Sequence, residues 1–327
     1  MYELKKLIAF ADRKSKENKR LVIATIIKTI GSAYRKKGTQ MVISEDLEYE
    51  GAISGGCVEN EALRQSEIVL QKNESVIFEY DGEYKLGCKG KIFVLLEILS
   101  AETVEKLVLL VNEFHGKRKL IKLGLNKDEQ ATIAASYYLF GSEKVEIGKL
   151  NDTSELNDSE SLIIPPQNQL VIVGGEYDSV SLALLANASG FLTFLLVKET
   201  FHHKLPAEVK VAYKKPEELS SYVQFDQKTA VVLMTHSLSK DLNYLIEVLK
   251  LESKYLGILG PPSRREIILN NLMTYDESLI FTHSDKLEKM FGPIGHNIGA
   301  KTPEEISISV LSEIISVFNV QEVKLEL

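Results

Sequence analysis

Cysteine is nearly absent from this chain: two residues in 327 are too few for a disulfide framework and suit a reducing cytoplasm. An excess of basic charge is missing too. Lys and Arg number 39 against 46 Asp and Glu, a formal net charge of -7, so nucleic-acid binding has no overall electrostatic support. No uninterrupted apolar stretch approaches the roughly 20 residues that a membrane span requires. The first ten residues run directly into Asp12, Arg13, Lys14 and Lys16, which predicts an amphipathic first helix and not the apolar core of a signal peptide. Internal repeats and long low-complexity tracts are also lacking. What is there, 44% apolar and 26% charged residues, is ordinary for a soluble globular protein, and the length suffices for two domains.

Both cysteines sit in glycine-rich turns beside charge: Ser54-Gly55-Gly56-Cys57-Val58-Glu59 and Leu86-Gly87-Cys88-Lys89-Gly90. A structural cysteine is more often a small hydrophobe inside an apolar run. Glycines here allow backbone N–H groups to approach an anionic ligand. Cys57 leads into Glu59-Asn60-Glu61-Ala62-Leu63, a helix start whose dipole favours the thiolate. A small residue packed under a glycine turn competes equally with a thiolate or ligand anchor at Cys57, while Cys88, leading into an apolar run, leans to packing. The two lack zinc half-site spacing and have no histidine cluster beside them, so zinc is disfavoured.

The hydrophobic patterning predicts a two-part chain. Residues 1–150 read as an N-terminal α+β domain, with helices over 4–18, 61–71 and 101–115 and strands at 21–27, 40–43, 75–80 and 91–98. Residues 151–169, polar and ending in Pro165-Pro166, read as a linker. Over 170–327 near-continuous apolar strands (170–173, 190–197, 230–234, 255–259) alternate with helices, which predicts a Rossmann-like three-layer αβα domain on a parallel sheet. Thr302-Pro303-Glu304-Glu305 opens a closing helix, with threonine as N-cap and proline at the first turn.

Three further groups of residues have chemical potential. Gly31-Ser32-Ala33-Tyr34-Arg35-Lys36-Lys37-Gly38 is a basic loop in which Arg35 offers a planar fork for phosphate; a solvated hairpin tip is the competing reading. Val173-Gly174-Gly175-Glu176-Tyr177-Asp178 occupies the first strand-to-helix turn, where a dinucleotide site carries GxGxxG. The second glycine of that pattern is missing, Glu176 and Asp178 would repel a pyrophosphate, and no acid stands at the tip of the strand ending at Val197, with Lys198-Glu199 just after it. His236 follows the third strand as a candidate acid, base or ligand, and Arg264 follows the fourth as an anion binder. His236 is as readily a polar strand-end residue. The glycine-rich loop 291–300 is expected to fold over the same edge.

Taken together these segments resemble the XdhC/CoxI family, accessory proteins of molybdenum hydroxylases such as xanthine dehydrogenase. The resemblance spans both halves: Gly31-Ser32, Arg35-Lys36, Ser54 to Glu59 and Gly87 to Gly90 in the first, Thr235-His236, Tyr255 to Gly260 and Pro293 to Ile306 in the second. It implies a carrier of molybdenum cofactor that protects the molybdopterin while a cysteine desulfurase sulfurates it, then helps insert it into the apo-hydroxylase. The cofactor-binding candidates are then Arg35, Ser54, Gly55, Gly56, Cys57, Glu59, Cys88, Gly174, Gly175, His236 and Arg264, with Cys57 the candidate metal contact through molybdenum. The family commonly has a Gly-Ala-Gly-His type turn at 174–177 and an aspartate near Val197; this chain departs at both, so NAD(P) is not expected. The competing readings are an NAD(P)-dependent oxidoreductase using the second domain, and an assembly scaffold that holds no cofactor. Base rates among soluble oligomers favour a homodimer, and a cleft between the domains is the expected ligand position.

Overall fold

The computed structural model describes residues 1–81, 90–128, 134–148, 158–199 and 201–323. They divide into two compact units, Met1–Pro166 and Gln167–Leu327.

The first unit contains α1 (Tyr2–Lys16), β1 (Leu21–Gly31), β2 (Gln40–Ser44), β3 (Tyr49–Gly51), α2 (Cys57–Lys72), β4 (Val76–Asp81), β5 (Gly90–Leu99), α3 (Ala101–Gly116), β6 (Ile121–Lys127), β7 (Ala134–Phe140), β8 (Glu143–Glu146) and β9 (Asp158–Ile164). An antiparallel sheet runs β3-β2-β1-β5-β4 and a smaller one β8-β7-β6-β9. Residues 21–27 are all buried because both faces of the large sheet are covered. Leu21, Ile23 and Ile27 pack with Leu7, Ala11 and Leu107 of α1 and α3. Val22, Ala24 and Ile26 pack with Val58, Ala62 and Val69 of α2. A two-sided strand reads as a continuous apolar run, which is why period-two alternation is missing from it.

The second unit contains β10 (Gln169–Val173), α4 (Tyr177–Ala188), β11 (Leu192–Leu196), β12 (Lys210–Ala212), α5 (Leu219–Tyr222), β13 (Thr229–Leu233), α6 (Leu238–Leu249), β14 (Tyr255–Ile258), α7 (Pro262–Tyr275), α8 (Glu277–Thr282), α9 (Ser284–Glu288) and α10 (Pro303–Val323). Its five strands are all parallel, in the order β12-β11-β10-β13-β14. Helices α4 and α10 cover one face through Leu182, Ala186, Val310 and Ile314. Helices α6 and α7 cover the other through Leu245, Leu249, Ile268 and Leu272. This is the three-layer Rossmann-like arrangement expected, with the chain reversing direction across the sheet between β10 and β13. The expected cap of the last helix is present: the Glu305 amide donates to Thr302 Oγ1 at 3.3 Å, and Glu305 Oε2 accepts from the Thr302 amide at 3.2 Å.

The stretch 151–169 includes β9, paired along its length with β6 from Ile121↔Ile164 to Lys127↔Asp158, and the units divide at Pro166. The loop 291–300 begins against the end of β14: Ile258 N donates to Phe291 O and Phe291 N to Leu256 O, both at 2.9 Å. Glu313 fastens it there, accepting from Gly295 N at 3.0 Å and from Tyr255 Oη at 2.6 Å. Among the described residues no helix is long and apolar enough to cross a membrane.

Candidate functional site

The glycine-cysteine turn links β3 to α2 in the first unit. Cys57 is the first residue of a 16-residue helix and Gly56, at φ 116°, is its N-cap, a backbone conformation that favours glycine. Among the described residues, a Cβ added at Gly55 or Gly56 would meet no atom within 4 Å. Cys57 is half-buried. As the first residue of α2 it stands beside first-turn amides that have no acceptor within the helix and at the positive end of the dipole.

Glu59 has a different place from the one expected. It is only 4% exposed, and its carboxylate folds back to accept from Ser54 N at 2.6 Å and Gly56 N at 2.7 Å. This is the returning half of a capping box. Two of the amides expected to meet an anionic ligand are thus taken by the protein's own carboxylate, and Glu59 holds the turn in shape. The donors left are those at the helix tip itself.

Arg35 lies in the loop between β1 and β2. It lines a cavity of about 410 Å³ with Lys6, Gln40, Tyr49 and Gly51, in which none of residues 54–57 takes part. Among the described residues its buried Nε has no hydrogen-bond partner, its Nη1 is 4.0 Å from Glu3, and its guanidinium lies 5.7 Å from the exposed Tyr34 ring. Neighbouring Lys37 is tied to Glu160 of β9, so only part of the basic loop is free for a ligand. Cys88 lies outside the described residues, of which no group of three His, Cys, Asp or Glu is placed to hold a metal ion.

In the second unit Gly174 and Gly175 border a cavity of about 180 Å³ at the carboxyl ends of β10, β11 and β13. A Cβ at Gly174 would come within 2.7 Å of Met234 O, so the turn needs glycine for close strand approach. Glu176 caps α4 without a side-chain cap bond; it pairs with Lys198 at 2.9 Å, which holds its carboxyl below the usual range. His236 adopts φ 56°, is exposed, and is not among the cavity's lining residues.

Arg264 is turned away from the anion role. It pairs at 2.6 Å with Asp241, which is fully buried, and whose other oxygen accepts from Thr235 N at 3.1 Å and Thr235 Oγ1 at 2.6 Å. Asp241 and this network fasten the β13 turn to α6 and α7. Twenty-three positions separate the partners, and no local pattern in the sequence announces the pair.

Two family descriptions match the chain: the XdhC and CoxI family over residues 15–81 and the XdhC Rossmann domain over residues 170–314. Between them they match more than half of its length, and the chain belongs to the XdhC/CoxI family. A protein of Bacillus subtilis described as a probable xanthine dehydrogenase subunit is 26% identical over 323 residues, spanning 90% of this chain and 92% of that protein. The molybdenum cofactor insertion chaperone PaoD of Escherichia coli is 25% identical, spanning 95% of this chain and 87% of its own. A crystal structure described as a xanthine dehydrogenase from Bacillus halodurans matches 96% of both chains with a TM-score of 0.77 at 24% identity, a likeness of fold.

Proposed function

We propose that this protein carries molybdenum cofactor and supports its maturation and insertion into a molybdenum hydroxylase. Family membership and the names of its relatives support the class of role. The observation that carries the reading to a place in the chain is the half-buried Cys57 at the tip of α2, next to two glycines with no neighbour within Cβ reach among the described residues.

The residues present fit such a group. Molybdopterin is anionic and rich in sulfur, and the turn offers a thiol, helix-tip amides and room for close approach. Arg35, whose buried Nε has no partner among the described residues, is the cation suited to the pterin phosphate. When bound, the cofactor brings the molybdenum and sulfur chemistry that its client enzyme uses. This chain's part is to bind and shield: Cys57 anchors, Gly55 and Gly56 leave space, and Glu59 keeps the turn from collapsing. Sulfuration by a cysteine desulfurase, a xanthine dehydrogenase-like client and a homodimer belong to the same proposal.

The test is anaerobic equilibrium binding of molybdenum cofactor to the wild type and to Cys57→Ala. Stoichiometric binding to the wild type with a loss of about tenfold or more in the variant is expected for a lost anchor. Absence of binding to both proteins overturns the carrier reading. Equal binding to both retains the carrier and removes Cys57 from its centre.

A further inference from the structure

The cavity of the second unit has a composition that the carrier reading does not use. It lies at the carboxyl edge of the parallel sheet, next to the reversal between β10 and β13, where open α/β sheets take ligands. Its lining has Lys198, Lys214, Lys215 and Lys240 against a single acid, Glu176, in a chain whose net charge is -7. These lysines come from three separate places: the end of β11, the segment after β12, and the first turn of α6. A general surplus of surface lysine does not account for such convergence.

The four are not equivalent. Lys198 is engaged with Glu176 at 2.9 Å, and Lys214 with Glu218 at 3.3 Å and with the Tyr222 ring at 5.4 Å. The Lys215 and Lys240 side chains make no hydrogen bond or ion pair among the described residues, and Lys215 adds to the attraction that holds the Glu218 carboxyl below its ordinary range. Between these cations the wall is apolar and aromatic, formed by Leu196, Val197, Tyr213 and Tyr244. The Tyr244 hydroxyl donates to the Lys214 carbonyl, which fixes the ring and the segment after β12 together. A volume of about 180 Å³ is below that of sites enclosing a whole drug-sized ligand and suits one ring system with its phosphate outside.

In dinucleotide-binding sheets the acid ending the second strand accepts from the ribose 2′-hydroxyl, and a cation nearby takes a 2′-phosphate instead. Here the second strand, β11, runs out into Val197-Lys198, and more cations follow β12. The pyrophosphate side is impaired by acids at the start of α4, while the ribose side is enriched in cations. We propose that this cavity binds a nucleotide carrying an additional phosphate on the 2′ oxygen of its ribose, with the base against Tyr213 and Tyr244 and the 2′-phosphate on Lys215 and Lys240. The site lies wholly within the second unit and is independent of Cys57.

Calorimetric titration of the full chain with adenosine 2′,5′-bisphosphate, adenosine 5′-monophosphate and inorganic phosphate tests this. The bisphosphate is expected to bind about tenfold or more tightly than either of the others, from charge-assisted hydrogen bonds to the extra phosphate. The Lys215→Ala/Lys240→Ala double variant is expected to lose that preference. Both lysines are exposed, so the fold is retained. Equal affinity for the two nucleotides, inorganic phosphate binding as tightly as the bisphosphate, no binding by the wild type, or an undiminished preference in the double variant would each overturn the assignment.

Discussion

Single side chains carry two of the chain's least obvious features. Glu97, in the middle of β5, is fully buried. It accepts from Ser136 N at 3.0 Å and from the Ser136 hydroxyl. Burial pushes its carboxyl up from 4.5 to about 7, against the pull of the Ser136 and Gly148 hydrogen bonds. The folded protein therefore holds this proton at pH values where the unfolded chain has released it. Its stability contribution is fully present below about pH 4.5 and declines as pH rises towards 7. The loss amounts to about 3 kcal/mol between those limits. Urea unfolding free energies measured at pH 5 and pH 8 are expected to fall more steeply in the wild type than in Glu97→Gln, by up to that amount. Parallel pH profiles for the two proteins would refute the assignment of this slope to Glu97. The second such side chain is Asp241, whose buried carboxylate takes up the Arg264 guanidinium. Arg264 stood out in the sequence as an anion binder only while this partner, on another helix, was out of view.

At the scale of the element, the turn into α2 is built by its own third residue. Replacing Glu59 by Ala leaves the Ser54 and Gly56 amides without their acceptor. A cost of about 2 kcal/mol is expected for two hydrogen bonds to a charged group. Amide exchange at these two residues should accelerate; unchanged exchange in Glu59→Ala would refute the lock. The residues of this turn were visible in the sequence as a motif, but the direction in which its carboxylate points was not. A glycine-rich loop next to an acid looks the same from its letters whether the acid faces outward or folds back. Strands β10 and β13 were legible for the opposite reason. Buried on both faces, they carry unbroken apolar letters. Strand β9 was not, because Asp158-Ser159-Glu160-Ser161 belongs to a sheet edge paired on one side, where polar residues are tolerated and read as linker.

For the molecule as a whole, each unit has apolar clusters drawn only from its own residues. An interior complete within 167–327 predicts that this segment, expressed alone, unfolds cooperatively in urea followed by circular dichroism. A gradual, non-cooperative loss of signal would show that its core needs the first unit. The fold class was legible because strand character changes between the halves. The residues of β9 were not legible as a strand, because edge pairing there leaves no apolar signature.

The central strand of the first unit has a consequence during synthesis. Strand β1 pairs with β5 from Leu21↔Leu99 to Gly31↔Gly90, so one neighbour arrives only after some 60 to 80 further residues are made. At about 5–20 residues per second, the greasy stretch Leu21–Ile27 waits roughly 3 to 16 seconds with half of its hydrogen-bonding edge uncovered. Helix α1 and strand β2 are made before that and shield it in part. In that interval the nascent chain exposes an apolar edge that a ribosome-associated holdase could cover.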